Sequence, residues 1–302
     1  MFKFLCTFVL FNIMFKFLCT FLLFNLLFTI GDSYKLGLLR FGFRMFTKYK
    51  GVTWPDTSKM KSKYEHFEIF DPTLKYPTYY KKNFHAYEGG NLNWIAAEEC
   101  LPASYGVFAS HSREKSGMES SDSIRTLFIN EIKQKVCNQE LNMVDFACGI
   151  GISTNYIHNN LKGEIVGIDL SPYFLNKACE LHPNLKFIHG NVEKVDIPSK
   201  SQDIVFVSYL FHELPLIVSM NVVAEASRIL KSGGILAILD MKPDIKASNF
   251  MMQFIFDQTE PYLDQYRKFY NLRNSIFKVN NLKSIKEITE IQKTVIIICV
   301  RE

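Results

Sequence analysis

Val144-Asp-Phe-Ala-Cys-Gly-Ile-Gly-Ile-Ser153 is an apolar run that enters a glycine-pinched turn and leaves it at a helix start. Glu164-Ile-Val-Gly-Ile-Asp-Leu-Ser-Pro172 is a second apolar run, ending on an acid, Asp169. Gly149 and Gly151 let the backbone turn sharply and approach a ligand, because a Cβ at either place would collide with it or demand an unfavourable positive φ. Asp169 follows Gly151 by eighteen positions, where the acid closing the second strand of such a unit reaches ribose hydroxyls. The pattern predicts one nucleoside-binding half of a parallel α/β sheet.

A pyrophosphate cofactor fits poorly. Gly-x-Gly-x-x-Gly would need glycine at 154, where Thr154 stands, and Asp145 would repel an anion while suiting an ammonium or sulfonium centre. A nicotinamide-dependent oxidoreductase is therefore disfavoured. The segment instead resembles motif I of the class I S-adenosylmethionine-dependent methyltransferases, usually Asp/Glu-x-Gly-x-Gly-x-Gly, with Ala147 at the first glycine as a small-for-small departure. Three further segments are similar to that family in order. Leu185-Lys-Phe-Ile-His-Gly-Asn-Val-Glu193 matches the third strand and its loop, with Asn191 where the family has an Asp that meets the adenine amino group. Asp203-Ile-Val-Phe-Val-Ser-Tyr-Leu210 matches the fourth strand, beneath the methionine part of the cofactor. Glu225-Ala-Ser-Arg-Ile-Leu-Lys-Ser-Gly-Gly-Ile-Leu-Ala-Ile-Leu239 matches the following helix, turn and fifth strand.

The resemblance, closest to methyltransferase type 11 and ubiquinone/menaquinone methyltransferase-like members, implies a Rossmann-like sheet of seven mostly parallel strands. The implied order is 3-2-1-4-5-7-6, with helices on both faces and an N-terminal helical cap. It also implies S-adenosylmethionine as cofactor, held by Asp145, Ala147, Cys148, Gly149, Gly151, Asp169, Leu170, Asn191, Val192 and Ser208.

Of 35 Lys/Arg and 30 Asp/Glu, nine and two lie before Lys63, so the rest of the chain carries 26 and 28. The excess positive charge belongs to the leader and is no argument for nucleic-acid binding. Residues 1–30 are almost wholly apolar, and Met1-Phe-Lys-Phe-Leu-Cys-Thr-Phe recurs from Met14. This stretch is expected to be a signal peptide or signal anchor, with membrane contact through it. Residues 31–63 are expected to be a basic transit-like leader. Together they resemble the two-part leader of proteins sent by the secretory route to a plastid of secondary origin, the competing expectation being a membrane anchor with positive flanks. The cap is placed at 64–121 and the methyltransferase domain at 122–302. Seven scattered cysteines lack any metal-ligand spacing, so no metal is expected, and Cys148 and Cys299 read as buried small apolar residues.

The Ser/Gly-rich stretch 110–123 reads as a mobile loop. A helix then follows from a cap at Ser123, with Ile124, Leu127, Phe128, Ile132 and Val136 at helical spacing. Ser171 and Pro172 start a second helix, Pro215 opens one running to Leu230, and Gly233 and Gly234 are expected to end it. Asn249–Tyr270 reads as helical, and 283–290 with 294–300 as two antiparallel strands.

Transfer from an activated methyl mainly requires an acceptor held in line and shielded from water, and a base only where the acceptor loses a proton. His212, just past the fourth strand, is the candidate base, and a helix-start histidine is its structural alternative. Glu213 reads as a first-turn acid, Tyr209 as acceptor pocket or packing, and His85 and His189 as surface or turn histidines. Ser208-Tyr-Leu-Phe stands where exocyclic-amine methylases carry Asn/Asp-Pro-Pro-Tyr. The aromatic cap points to a small apolar or aromatic acceptor. Glu260-Pro-Tyr-Leu-Asp-Gln-Tyr266, with Asn91-Leu-Asn-Trp94, resembles a group of plastid-associated methyltransferase-like proteins. A non-catalytic protein of the same fold, acting as a partner subunit, is the alternative, since Ala147 and Asn191 both depart from the family pattern.

Overall fold

The computed structural model describes residues 32–49, 51–57, 69–111, 116–136, 139–243, 259–291 and 293–302. The expected signal peptide or anchor, the end of the basic leader and the first part of the 249–270 stretch lie outside the described residues.

Strands β1 (Leu141–Phe146), β2 (Gly163–Asp169), β3 (Lys186–His189), β4 (Gln202–Ser208), β5 (Leu230–Met241), β6 (Leu282–Ile291) and β7 (Thr294–Arg301) form one sheet. Its order is β3-β2-β1-β4-β5-β7-β6, as the resemblance implied. β7 runs antiparallel to both of its neighbours and every other pair is parallel. The helices are α1 (Asp32–Tyr49), α2 (Trp94–His111), α3 (Gly117–Lys133), α4 (Ile152–His158), α5 (Pro172–Leu181), α6 (Leu216–Ile229) and α7 (Leu263–Val279).

Strand side chains alternate between faces, and parallel strands covered on both sides read as continuous apolar runs. Thus Val144, Phe146, Val205, Val207, Leu236 and Ile238 pack on one face beneath α6 and α7, with Val222, Ala226, Phe269 and Phe277. Their neighbours Met143, Ile204, Phe206 and Ala237 turn to the opposite face, against Ile124, Phe128 and Ile132 of α3 and Ile157 of α4. The β1–β4 register sets Val144 opposite Val205 and Phe146 opposite Val207. The carboxyl ends of β1 and β4 therefore finish side by side.

Three boundaries differ from expectation. α3 begins at Gly117, within the stretch read as a loop, because Ser116 and Glu119 form a reciprocal capping box. A Cβ on Gly117 would stand 1.9 Å from the Tyr105 carbonyl oxygen, so the glycine lets α3 start hard against the backbone of α2. α6 ends at Ile229, before the glycine pair. Gly233, at φ +77°, and Gly234 lie instead within β5, where the register with β4 shifts between Gln202 and Ile204; the conformational freedom of glycine serves a bulge there. α7 extends to Val279, nine residues beyond the expected end. The Ser171 cap of α5, accepting from the Phe174 N–H, and the β6–β7 pair are as expected.

Candidate active site

In an open α/β sheet, ligands bind beyond the carboxyl ends of the strands where chain order reverses, here between β1 and β4. A cavity of about 370 Å³ occupies that place, within the roughly 300–1,000 Å³ of small-molecule sites. Its floor is made by residues just past four strands: Ala147, Cys148 and Gly149 after β1; Asp169 and Leu170 at β2; Gly190, Asn191 and Val192 after β3; Ser208 to Leu210 after β4. The upstream segment roofs it, through Tyr79, Tyr80, His85, Tyr87, Asn91 and α2. α1 adds Leu39, Arg40 and Phe43, although the sequence reading placed it in the leader. Arg44 pairs with the fully buried Glu99 of α2 at 3.0 Å, and Arg40 lies over the Tyr87 ring.

The turn after β1 is built from left-handed residues, with Ala147 at φ +53°, Gly149 at +56° and Gly151 at +78°. Ala147 thus adopts a conformation that costs an L-residue roughly 1–2 kcal/mol, so the departure from glycine is tolerated at some strain. A Cβ on Gly149 would meet nothing within 4 Å, whereas one on Gly151 would press on Phe187 at 2.8 Å and His182 at 2.9 Å. Gly149 is therefore the approach point on the cavity wall, and Gly151 serves packing behind it.

Asp169 fastens this turn. Its two carboxylate oxygens accept from the Gly149 N–H at 2.8 Å and the Ser171 N–H at 2.7 Å. Burial pushes its pKa up to about 6 while those backbone donors pull it down. Asp169 lines the cavity, and a carboxylate that accepts two hydrogen bonds keeps lone pairs that a ribose diol could use. Asp145 stands behind the wall rather than on it: it is fully buried, accepts from Thr154 Oγ1 at 2.7 Å, and is pushed up to about 7 by burial. Thr154 occupies the third-glycine position because it supports this acid. Asn191 lines the cavity, but its Oδ1 already accepts from the Glu193 N–H at 3.0 Å in a local turn. Ser208 also lines it, and its buried Oγ has no hydrogen-bond partner among the described residues.

At the far end, His212 gives a hydrogen bond from Nδ1 to Asp240 Oδ1 at 2.7 Å. Asp240 is itself held by the N–H groups of Phe211 and Met241. Burial alone would lower the His212 pKa, but the charge and hydrogen bond of Asp240, with Glu213 and Glu260 behind, outweigh it and raise it to about 9. His212 Nε2 lies 3.9 Å from Glu213 Oε1.

The two other histidines singled out in the sequence have specific partners. His85 lies in a turn with its side chain 35% exposed, but both ring nitrogens are engaged: Nδ1 meets Glu260 Oε1 and Nε2 meets Glu213 Oε1, each at 2.8 Å. A neutral imidazole has one N–H, so donation to two carboxylates makes His85 cationic. Burial opposes this, and the two carboxylates outweigh it and hold the pKa well above the usual range. Glu213, read from the sequence as a dipole-favoured acid, is instead a partner of His85 and of Asn91. His189 is buried at the end of β3, where its Nδ1 accepts from the Asp71 N–H and Nε2 donates to the Leu170 oxygen. That arrangement is neutral, and burial lowers its pKa.

Sequence reasoning also missed Arg125, which lines the cavity beside the helix start at Ser153. It is 8% exposed and hydrogen-bonded to the hydroxyls of Ser121 and Ser153. Among the described residues no carboxylate lies within ion-pair distance of it. A buried guanidinium with only hydroxyl partners calls for an anion. Cys148 and Cys299 are buried, and burial raises both thiols, the second to about 12, as expected of packing cysteines. Among the described residues no cluster could hold a metal ion.

Comparison with known proteins agrees with this construction. Residues 144–238 match the family model described as a methyltransferase domain. The chain is 33% identical over 108 residues to a ubiquinone/menaquinone biosynthesis C-methyltransferase of Campylobacter jejuni, covering 34% of this chain and 45% of that protein. It is 29% identical over 99 residues to an uncharacterized methyltransferase of Synechocystis, covering 33% and 46%. It is 26% identical over 146 residues to a phthiotriol/phenolphthiotriol dimycocerosates methyltransferase of Mycobacterium leprae, covering 45% and 52%. The chain thus spans about half the length of the curated relatives it matches. Among solved structures it is similar to a SAM-dependent methyltransferase from Aquifex aeolicus, with 16% identity over 60% of this chain and 98% of the other and a TM-score of 0.46. Residues 144–238 are thus similar to a methyltransferase domain, and the strand order and the Asp169-pinned glycine turn are those that the class I S-adenosylmethionine-dependent resemblance implied.

Proposed function

We propose that the chain transfers a methyl group from S-adenosylmethionine to a small apolar or aromatic acceptor. The observation that carries this is the continuity of one cavity from Gly149, Asp169 and Asn191 to the His212–Asp240 pair and the aromatic roof. The fit to the cofactor rests on three features: the open space at Gly149, the buried carboxylate of Asp169, and a cavity wall that holds both Arg125, whose partners are hydroxyls, and the unpartnered Oγ of Ser208. When bound, the cofactor supplies an activated methyl on a sulfonium centre.

In this reading Asp169 takes the ribose hydroxyls, while Gly190 to Val192 border the adenine. Arg125 and Ser153 take the amino-acid carboxylate, with Ser208 beside it. Leu170, Ala147 and Cys148 shape the wall, and Asp145 and Gly151 act through the turn they support. Leu101, Val107, Phe108 and Met241 offer apolar contact to the acceptor. His212, held in one orientation by Asp240, is the base for an acceptor that loses a proton. A base of pKa about 9 is nearly matched to a phenol, whose ordinary pKa is about 10. The apolar first 30 residues are read as a route into the secretory system or an anchor, toward a plastid of secondary origin or a membrane. That α1 lines the cavity supports a reading in which any cleavage of that leader precedes Asp32.

The test is calorimetric titration of the full chain with S-adenosylmethionine, S-adenosylhomocysteine and NAD. The expected result is binding of the first two only, lost in Asp169→Ala, followed by labelled-methyl transfer to phenolic or quinol acceptors. Losing two hydrogen bonds to a charged group, at about 1.5–3 kcal/mol each, predicts affinity lower by at least roughly 100-fold. Unchanged affinity in the variant would refute the site.

A further inference from the structure

α1 has two apolar faces. Leu36, Leu39 and Thr47 turn inward and are buried. On the opposite side Tyr34, Leu38, Phe41, Met45 and Tyr49 recur at steps of three and four, which places them in one stripe. Each is between 41% and 88% exposed. A contiguous row of five large apolar side chains on a soluble surface marks an interaction site. The charges are sorted as well: Arg40 and Arg44 turn toward Glu99, whereas Lys35 and the exposed Lys48 flank the stripe.

What covers the stripe is indicated by the chain that leads into it. Residues 1–31 contain only Lys3 and Lys16 as charged residues and end one position before α1 begins. Any bilayer that takes up this segment holds the start of α1 at its surface. A helix whose exposed face is an apolar stripe flanked by lysines, and whose other face is packed on protein, lies along the interface rather than across it. Accordingly, among the described residues no helix is long and apolar enough to span a membrane.

We propose that α1 rests on a lipid bilayer, with Tyr34, Leu38, Phe41, Met45 and Tyr49 in the boundary between headgroups and acyl chains. Its inner face still supplies Leu39, Arg40 and Phe43 to the cavity. One helix, about 10 Å across, then separates the lipid from the methyl-transfer site. An acceptor dissolved in the bilayer is within reach without crossing bulk water. This last step rests on the proposed methyl transfer; the lipid contact does not.

Vesicle binding alone is no test, because residues 1–31 can supply it. The full chain carrying the photo-crosslinker benzoylphenylalanine in place of Phe41 is irradiated with phosphatidylcholine/phosphatidylglycerol vesicles and analysed by intact and peptide mass. The control is the same replacement at Val279, which is 75% exposed at the end of α7. Lipid adducts at position 41 and their loss at 279 are expected. A crosslink from 41 to residues 1–31, a covalent dimer, or no lipid adduct at 41 would each overturn the proposal. S-Adenosylmethionine binding by the same labelled protein shows that it is folded. Retained binding without a lipid adduct refutes the bilayer contact and leaves the proposed function standing.

Discussion

Replacing Asp240 by Asn removes the charge beside His212; its single amide oxygen can still accept at the Oδ1 place from Met241 N–H and His212, while the Phe211 N–H loses its acceptor at Oδ2. His212 stands at about 9 against an ordinary 6.5 although burial pulls the other way. At about 1.4 kcal/mol per pH unit, that gap is roughly 3 kcal/mol of coupling. The sign follows from linkage: a histidine raised on folding contributes stability that is fully present below its unfolded pKa and is lost as pH rises through its folded one. The wild-type chain should therefore lose about 3 kcal/mol from this pair between pH 6 and pH 10, and Asp240→Asn should remove that dependence. The pKa of His85 is also held well above the usual histidine range by its two carboxylates, so the quantity to read is the difference between the two proteins in denaturant titrations at each pH. The His212 Cε1–H resonance should move from an inflection near 9 to one at or below the ordinary histidine range. For a phenolic acceptor, kcat/KM should rise with pH to a plateau above about 9 in the wild type. In the variant the rise should shift to lower pH, with a lower plateau from the weaker base. A wild-type His212 titrating near 6.5, or an unchanged inflection in the variant, would refute the coupling.

Arg125→Met should weaken S-adenosylmethionine binding by roughly 10–100-fold, the worth of one charged hydrogen-bond pair. Binding of 5′-methylthioadenosine, which lacks the amino-acid end, should be unchanged; equal losses for both ligands in calorimetry would show that Arg125 only supports the fold. Asp145→Asn should stabilise the free chain at pH 8. A buried acid raised to about 7 is destabilising once ionised, a penalty absent below its ordinary 3.8 and complete above 7. Asn still accepts from Thr154, so melting temperatures of variant and wild type should converge near pH 4 and separate as pH rises; a destabilised variant at pH 8 would count against this account of Asp145. Gly117→Ala should lower stability by about 1–3 kcal/mol, as overpacking does, because the new Cβ has only the Tyr105 backbone to displace; an unchanged denaturation midpoint would show that α3 does not start against α2.

The sheet was legible because its signals are local. A glycine turn, an acid at fixed spacing and strand-length apolar runs each lie within about twenty residues, and the strand order came from the family resemblance that these segments carry. The floor of the site was legible for the same reason, since Gly149, Asp169, Asn191 and Ser208 all sit just past the ends of strands. The roof was not. His85 meets Glu213 across 128 positions and Glu260 across 175, and no local pattern tells an imidazole between two carboxylates from one in a surface turn. Arg125 was hidden differently: it occupies a polar position on an amphipathic helix, and only the packing of α3 against α4 turns it toward Ser153.

One misreading, and one feature beside the leader reading, had a signal that composition masked. Ser116 and Glu119 have the capping-box spacing, but the surrounding serines and glycine suggested a loop. In α1, the count of basic residues suggested a leader, while the phase of its apolar residues separates a buried row from an exposed one. Composition adds charges along a segment regardless of where they point. In α1 the direction decides, because Arg40 and Arg44 face an acid 59 and 55 positions away whose burial without them would leave an uncompensated charge inside the cap. Glu99 is therefore the residue that ties α1 to the cap, and of the two arginines that face it Arg40 also lines the cavity.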